Sequence, residues 1–277
     1  MHVPKTSGIS LTSGLIQALA PRRTVTGFDR VLCGAFSDYA SLSPEVRRQI
    51  VDDPGQLPQG VPFIHGHYAL STTVRAYPQA QFMTVLREPA VRLLSMWRFW
   101  RMQTEASMTG WGSWADYVFR ARRPFEVFLE DEAIAHATDN FAVRMLLLPH
   151  ELIDDTAFID PRHDETLLAD AASCLERFQF LDVVEDPALP ERLGRWLGRP
   201  FAYPVLNRTS ARPDGTELPL HRELTSRSFD LIEARSRLDQ VLWQGLVREL
   251  MPGEDVGRLR ERVLVRAVAR HAMASAA

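Results

Sequence analysis

Short apolar runs alternate along the chain with longer stretches in which apolar residues recur every three or four positions. A bounded run of β-formers marks a buried strand, whereas recurrence at helical spacing marks a helix. Residues 61–65, 82–86 and 178–184 are of the first kind. Residues 11–19 are of the second, entered through the Ser7-Gly8 turn with Ser10 near the start. Ser43-Pro44 sets an N-cap before a proline at the first helical position and predicts a short helix through Ile50. Pro89 opens a helix carrying Val91, Leu94, Trp97 and Trp100 on its apolar side. A helical middle follows over 111–148, then a helix over 164–177, a long amphipathic one over 228–250 and an Arg-rich one in the last twenty residues. Strands alternating with helices predict an α/β fold whose parallel sheet is covered on both faces. No repeat, low-complexity run or Pro/Ser linker divides the chain, so residues 1–277 are expected to form a single domain.

Composition narrows the class. With 277 residues, 45% hydrophobic and 24% charged, the chain is neither disordered, collagen-like nor a disulfide-stapled miniprotein. A formal charge of −3 argues against a nucleic-acid partner held by bulk charge. Cys33 and Cys174 allow one bridge at most. No stretch approaches the ~20 apolar residues of a membrane helix. Pro4, Lys5 and Ser7-Gly8-Ile9-Ser10 break any signal-peptide core, which makes the cytoplasm the expected location. The most informative motif begins at residue 2. Either the strand before it is a stub or the natural start lies upstream, where there would be room for a membrane anchor.

One feature of the charge changes the picture. Of the 32 basic residues, 31 are Arg and one is Lys, at position 5. Lys5 sits in His2-Val3-Pro4-Lys5-Thr6-Ser7-Gly8-Ile9-Ser10-Leu11, where a strand end, a small-residue turn and a helix start follow one another. Free amides and the positive end of the helix dipole make such a turn an anion cradle. Gly8 permits close approach, Thr6, Ser7 and Ser10 offer hydroxyls, and Lys5 supplies a compact mobile charge where guanidinium would be a rigid fork. A capped helix start with a surface lysine is the plainer alternative. Walker A geometry is absent, because its lysine follows the second glycine.

The loop resembles the 5′-phosphosulfate loop of sulfotransferases that use 3′-phosphoadenosine 5′-phosphosulfate (PAPS). It is closest to the carbohydrate (heparan sulfate) 2-O-sulfotransferase-like branch, whose loop reads roughly H-[IV]-P-K-[TC]-G-[GS]-T-[ST]. Ser7 and Ile9 depart from that pattern, and Ile9 removes a possible hydroxyl ligand. Residues 85–95, Val-Leu-Arg-Glu-Pro-Ala-Val-Arg-Leu-Leu-Ser, are similar to the family's 3′-phosphate motif L-R-[ED]-P-x-x-R-x-x-S. By that match Arg87 and Ser95 would hold the 3′-phosphate. An ion pair of Arg87 with Glu88 or a distant acid, and a helix-surface Ser95, are the alternatives. Asn140 to Arg144 resembles an N-x-x-x-R segment, and Leu206-Asn207-Arg208-Thr209-Ser210 a late N-x-[ST] stretch in which Arg208 or Arg212 would help bind the nucleotide. The order of elements fits the family over residues 2–250, leaving 254–277 as a helical extension. The resemblance implies a P-loop-like three-layer fold, PAPS as co-substrate and no metal.

His65-Gly66-His67 closes a strand, and period-2 alternation puts both imidazoles on one side. The resemblance implies that His67 is the general base and His65 a supporting residue. A pair of metal ligands and two hydrogen-bonded structural histidines are the competing readings. The other six histidines carry no local pattern and are expected at the surface or at caps. Trp97, Phe99, Trp100, Trp111, Trp114, Tyr117 and Phe119 either line an acceptor cleft or fill the core, as their helical spacing favours. Arg98, Arg101, Arg120, Arg122 and Arg123 either hold an anionic acceptor or form a solvated face. The function implied is sulfuryl transfer to an acceptor hydroxyl on a glycan or glycolipid. An atypical small-molecule kinase and a catalytically inactive nucleotide-binding relative remain as alternatives, and the oligomeric state is open.

Overall fold

A computed structural model describes residues 1–33, 39–202 and 223–274. The helices are α1 (Gly8–Leu19), α2 (Pro44–Arg47), α3 (Leu70–Ala76), α4 (Pro89–Arg101), α5 (Trp114–Phe119), α6 (Phe125–Glu130), α7 (Ala135–Thr138), α8 (Phe141–Leu147), α9 (Asp164–Leu175), α10 (Leu189–Leu197), α11 (Ser226–Leu250) and α12 (Val256–Ala274). The strands are β1 (Thr24–Asp29), β2 (Ile50–Val51), β3 (Phe63–His67), β4 (Met83–Leu86) and β5 (Phe180–Val183). The fold is mixed α/β. β2, β1 and β3 form a three-stranded parallel sheet, and β4 pairs in parallel with β5. Residues 1–3 run between the two. The Met1 amino group donates to Met83 O at 3.0 Å, and His2 N–H donates to Gly66 O at 3.1 Å.

Four elements were not anticipated, β1, β2, α3 and α10, and two boundaries move. The strand expected over 61–65 is β3 at Phe63–His67, and Ile50 belongs to β2 rather than to the helix opening at Pro44. That helix closes after one turn, and β-branched Ile50 and Val51 pair instead with Phe28 and Asp29. Cys33 and Cys174 are both free. Among the described residues no helix is long and apolar enough to cross a membrane.

The main core is threaded by α11, whose Trp243 is fully buried among Leu86, Val143, Met145 and Val183. Its indole N–H donates to Glu185 at 3.0 Å, so the buried polar tip is satisfied. Asp239, one turn earlier, accepts the amides of Ala142 and Val143, both at 3.0 Å. A carboxylate from one helix thereby caps the N-terminus of another. Asn140 accepts Leu238 N–H, and Arg144 is completely buried with bonds to Asp139, the Asp154 carbonyl and the Ala157 carbonyl. The N-x-x-x-R segment is therefore a structural hub that ties α8 to α11 and to the 154–157 turn.

Candidate functional site

The N-terminal loop is built on unusual backbone. Lys5 and Ser7 both take left-handed conformations, with φ of 68° and 60°. Such residues cost energy and persist where the surroundings fix them. Buried Thr6 donates its hydroxyl to Val3 O at 2.7 Å, which closes the turn and leaves only its lone pairs for other work. Pro4 is buried beneath the loop. The first intrahelical bond of α1 runs from Leu11 N–H to Ser7 O at 3.0 Å, and Ser7 places no side-chain cap. The amides of Gly8 and Ile9 have no partner within the helix and stand at the positive end of its dipole. Exposed Ile9 can contribute nothing else, while Ser7 is exposed at the mouth and Ser10 is buried. Gly8 lets the His2 ring lie against the loop, because a Cβ there would come within 1.7 Å of His2 Nε2 and displace the ring.

Lys5 and Arg87 meet at this loop from far apart in the sequence. Arg87 Nη1 donates to Lys5 O at 2.9 Å, so the end of β4 grips the loop backbone. Glu88 does not take the guanidinium. It caps α4 through Val91 N–H at 2.7 Å and receives Arg260 Nε at 3.2 Å. Burial lowers the Arg87 pKa, and nearby Glu185 opposes the shift. Burial, with Arg87 adding repulsion, pushes the Lys5 ammonium down to about 8. That ammonium lies over the Phe99 ring, 4.2 Å from its centroid. Ser95 is half-buried one helical turn before Phe99 on α4. Arg208, its surrounding 206–210 stretch and Arg212 lie outside the described residues.

His67 reaches the same loop from β3. Its Nδ1 stands 2.9 Å from His2 O. A carbonyl can only accept, so Nδ1 carries the proton and Nε2 keeps the lone pair. Burial lowers the His67 pKa to about 4, partly offset by that hydrogen bond and reinforced by His65 and Lys5. The imidazole is neutral at pH 7, and the residue as a whole is half-buried. His65 lies two residues back on the same side of β3, in contact with Phe63 at 5.6 Å, and its pKa is also lowered by burial. Gly66 between them faces Gly27, and a Cβ there would come within 2.3 Å of Gly27 O. Gly66→Ala is expected to destabilise the fold by about 1–3 kcal/mol through overpacking, measured as a lower urea midpoint.

His2 is one of the six histidines expected at the surface or at caps, and the structure corrects this. Its ring packs 4.7 Å from that of His67, and its Nε2 is buried without a partner. His136 is corrected likewise: it is 1% exposed, enclosed by Trp114 and Tyr117, and burial lowers its pKa to about 3. The motif's first position was the only sequence signal for His2.

The aromatic run is mostly core. Trp97 and Trp100 are buried and Trp111, Trp114, Tyr117 and Phe119 are partly covered, whereas Phe99 is 46% exposed. Among the described residues the nearby arginines form no free anion site, and of the five only Arg122 and Arg123 are exposed as a solvated face requires. Arg101 pairs with Glu223, Arg120 and Arg123 with Asp131, and Arg122 with Glu105 over the Phe119 ring, while Arg98 is buried with partners of its own. A cavity of about 620 Å³ lies elsewhere, between Arg192, Pro252 and Arg266, and no loop residue lines it. Among the described residues no group of three His, Cys, Asp or Glu could hold a metal ion. Comparisons with protein-family models, with curated proteins and with solved structures returned no match.

Proposed function

We propose that the protein transfers a sulfuryl group from PAPS to an acceptor hydroxyl, on a glycan or glycolipid. The observation that carries the reading is the convergence of three distant segments on one loop. Arg87 binds the Lys5 carbonyl, His67 binds the His2 carbonyl, and the uncapped start of α1 opens between them. The sheet order also suits a P-loop-like arrangement, with residues 1–3 between β3 and β4 and leading through the loop into α1.

The loop amides with Lys5 would hold the 5′-phosphosulfate, and Arg87 with Ser95 the 3′-phosphate. In the reaction the acceptor oxygen forms a bond to sulfur as the bond from sulfur to the phosphate oxygen breaks. The acceptor proton passes to His67 Nε2, and adenosine 3′,5′-bisphosphate leaves with the electron pair. Lys5 and the helix start stabilise the charge that grows on the leaving oxygen. A bound anion raises the pKa of every cation beside it. Donor binding would therefore keep Lys5 protonated and make His67 a stronger base than in the free protein.

Adenosine 3′,5′-bisphosphate without metal should raise the unfolding temperature, with stabilisation of about 2.7 kcal/mol at a hundred times its Kd. Its affinity should fall as pH rises through about 8, where Lys5 loses its proton. Stabilisation by ATP with Mg²⁺ alone would instead favour a kinase. Bisphosphate binding without sulfated product from any glycan or lipid would favour a binding protein.

A further inference from the structure

Helix α4 is almost entirely buried from Pro89 to Arg101, with two breaks in its cover, at Ser95 and Phe99. These residues are one turn apart and so share a face. Phe99 is the large apolar residue on that face, 46% exposed, and its ring carries the ammonium of the only lysine in the chain at 4.2 Å. An exposed phenyl ring is not required there by packing. Its cover is the Lys5 side chain itself.

We propose that Phe99 is a positioning residue for Lys5: its ring face holds the ammonium charged and aimed across the mouth of the N-terminal loop. The need follows from the other groups around Lys5. Arg87, at the end of β4, repels the ammonium; His2 and His67, on the loop and β3, are held neutral by burial. The Met1 amino group, hydrogen-bonded to Met83 O, is lowered to about 5 and is neutral at pH 7. Among the described residues no carboxylate contributes to the Lys5 shift, so the ring quadrupole is the attractive partner within reach of the charge. A carboxylate in that place would fix Lys5 equally well but would repel an anionic donor. An aromatic face attracts the cation without competing for it as a counter-ion, and yields when phosphosulfate arrives. The catalytic meaning of this contact rests on the sulfotransferase reading; the contact itself does not.

Because Lys5 is the only lysine, a protein labelled with ¹³C at lysine Cε gives one side-chain resonance, whose pH titration reports this group directly. Phe99→Leu keeps an apolar cover and removes the ring, and should lower the titration midpoint by roughly half to one pH unit. Phe99→Trp, a stronger cation partner, should restore or raise it. The alkaline limb of bisphosphate affinity, measured by calorimetry, should move by the same amount as the resonance. Unchanged thermal unfolding in both variants would show that the exposed site tolerates them. An unmoved midpoint in Phe99→Leu, or a midpoint in Phe99→Trp no higher than in Phe99→Leu, overturns the proposal. If the midpoint moves as expected while the wild-type protein binds no bisphosphate, the Lys5–Phe99 relation stands and the sulfotransferase reading fails.

Discussion

Lys5→Ala should lower kcat by about 10²–10³-fold, the usual loss when one preorganised charge partner of a transition state is removed. The fold should survive. Among the described residues Lys5 makes no ion pair or side-chain hydrogen bond, and alanine meets the same left-handed backbone at φ 68° as lysine does. The more telling variant is Lys5→Arg. It preserves the charge, and a chain with 31 arginines evidently accommodates guanidinium readily. At this position, however, the group must rest on Phe99 in the free protein and then follow charge onto a leaving oxygen. A planar fork with a spread charge is poorly matched to that movement. Lys5→Arg should therefore bind bisphosphate within about tenfold of wild type while losing most of kcat, a split that a purely electrostatic anchor would not produce. Single-turnover measurements with PAPS separate the two quantities, and a Lys5→Arg protein with full kcat would remove Lys5 from the chemistry.

The contrast between Lys5 and the rest of the site shows which information the sequence carried. Lys5 was conspicuous by composition, and α1 by its turn and periodicity, because both signals are local. Arg87 stood at a strand end followed by Pro89, another local pattern. β1 escaped because Gly27 interrupts an otherwise alternating Thr-Val-Thr-Gly-Phe-Asp segment, and glycine weakens a strand's signature. Its presence is intelligible only beside Gly66, since a side chain on either glycine would strike backbone: Gln49 O for Gly27, Gly27 O for Gly66. The contacts of His2 with His67 and of Lys5 with Phe99 were equally hidden. Each joins residues far apart in the chain, and no period or cap encodes such a meeting. The pairing of the arginines after Phe99 is hidden for a related reason. Two of their acidic partners, Asp131 and Glu223, lie outside the run in which the arginines are conspicuous, and Glu105 stands 17 residues from Arg122.

His67→Ala should reduce kcat by about 10²–10⁴-fold, the range of a positioned general base. The structure adds a pH signature. His67 accepts a proton only while neutral, and in the free protein its pKa is lowered to about 4 by burial. Lys5 supports an anionic donor only while charged, and its pKa is about 8. The profile of kcat/KM, which reports free-enzyme groups, should therefore be flat between limbs near pH 4 and pH 8. Activity is lost below the first as His67 charges and above the second as Lys5 discharges. The limbs of kcat, set in the donor complex, should both lie higher, because the bound anion favours the protonated form of each group. His67→Ala should remove the acid limb along with the rate, leaving the alkaline limb in place; Lys5→Ala should do the reverse. Stability gives an independent check of the same pKa. A histidine depressed in the folded state binds more protons unfolded, so between about 6.5 and 4 its effect is to make the protein less stable as pH falls. His67→Gln should flatten that part of the stability curve, with His2 and His136 still contributing in the same direction. A variant that keeps both the acid limb and the steep acid loss of stability would mean that the proton acceptor is another group and that His67 only braces the His2 carbonyl.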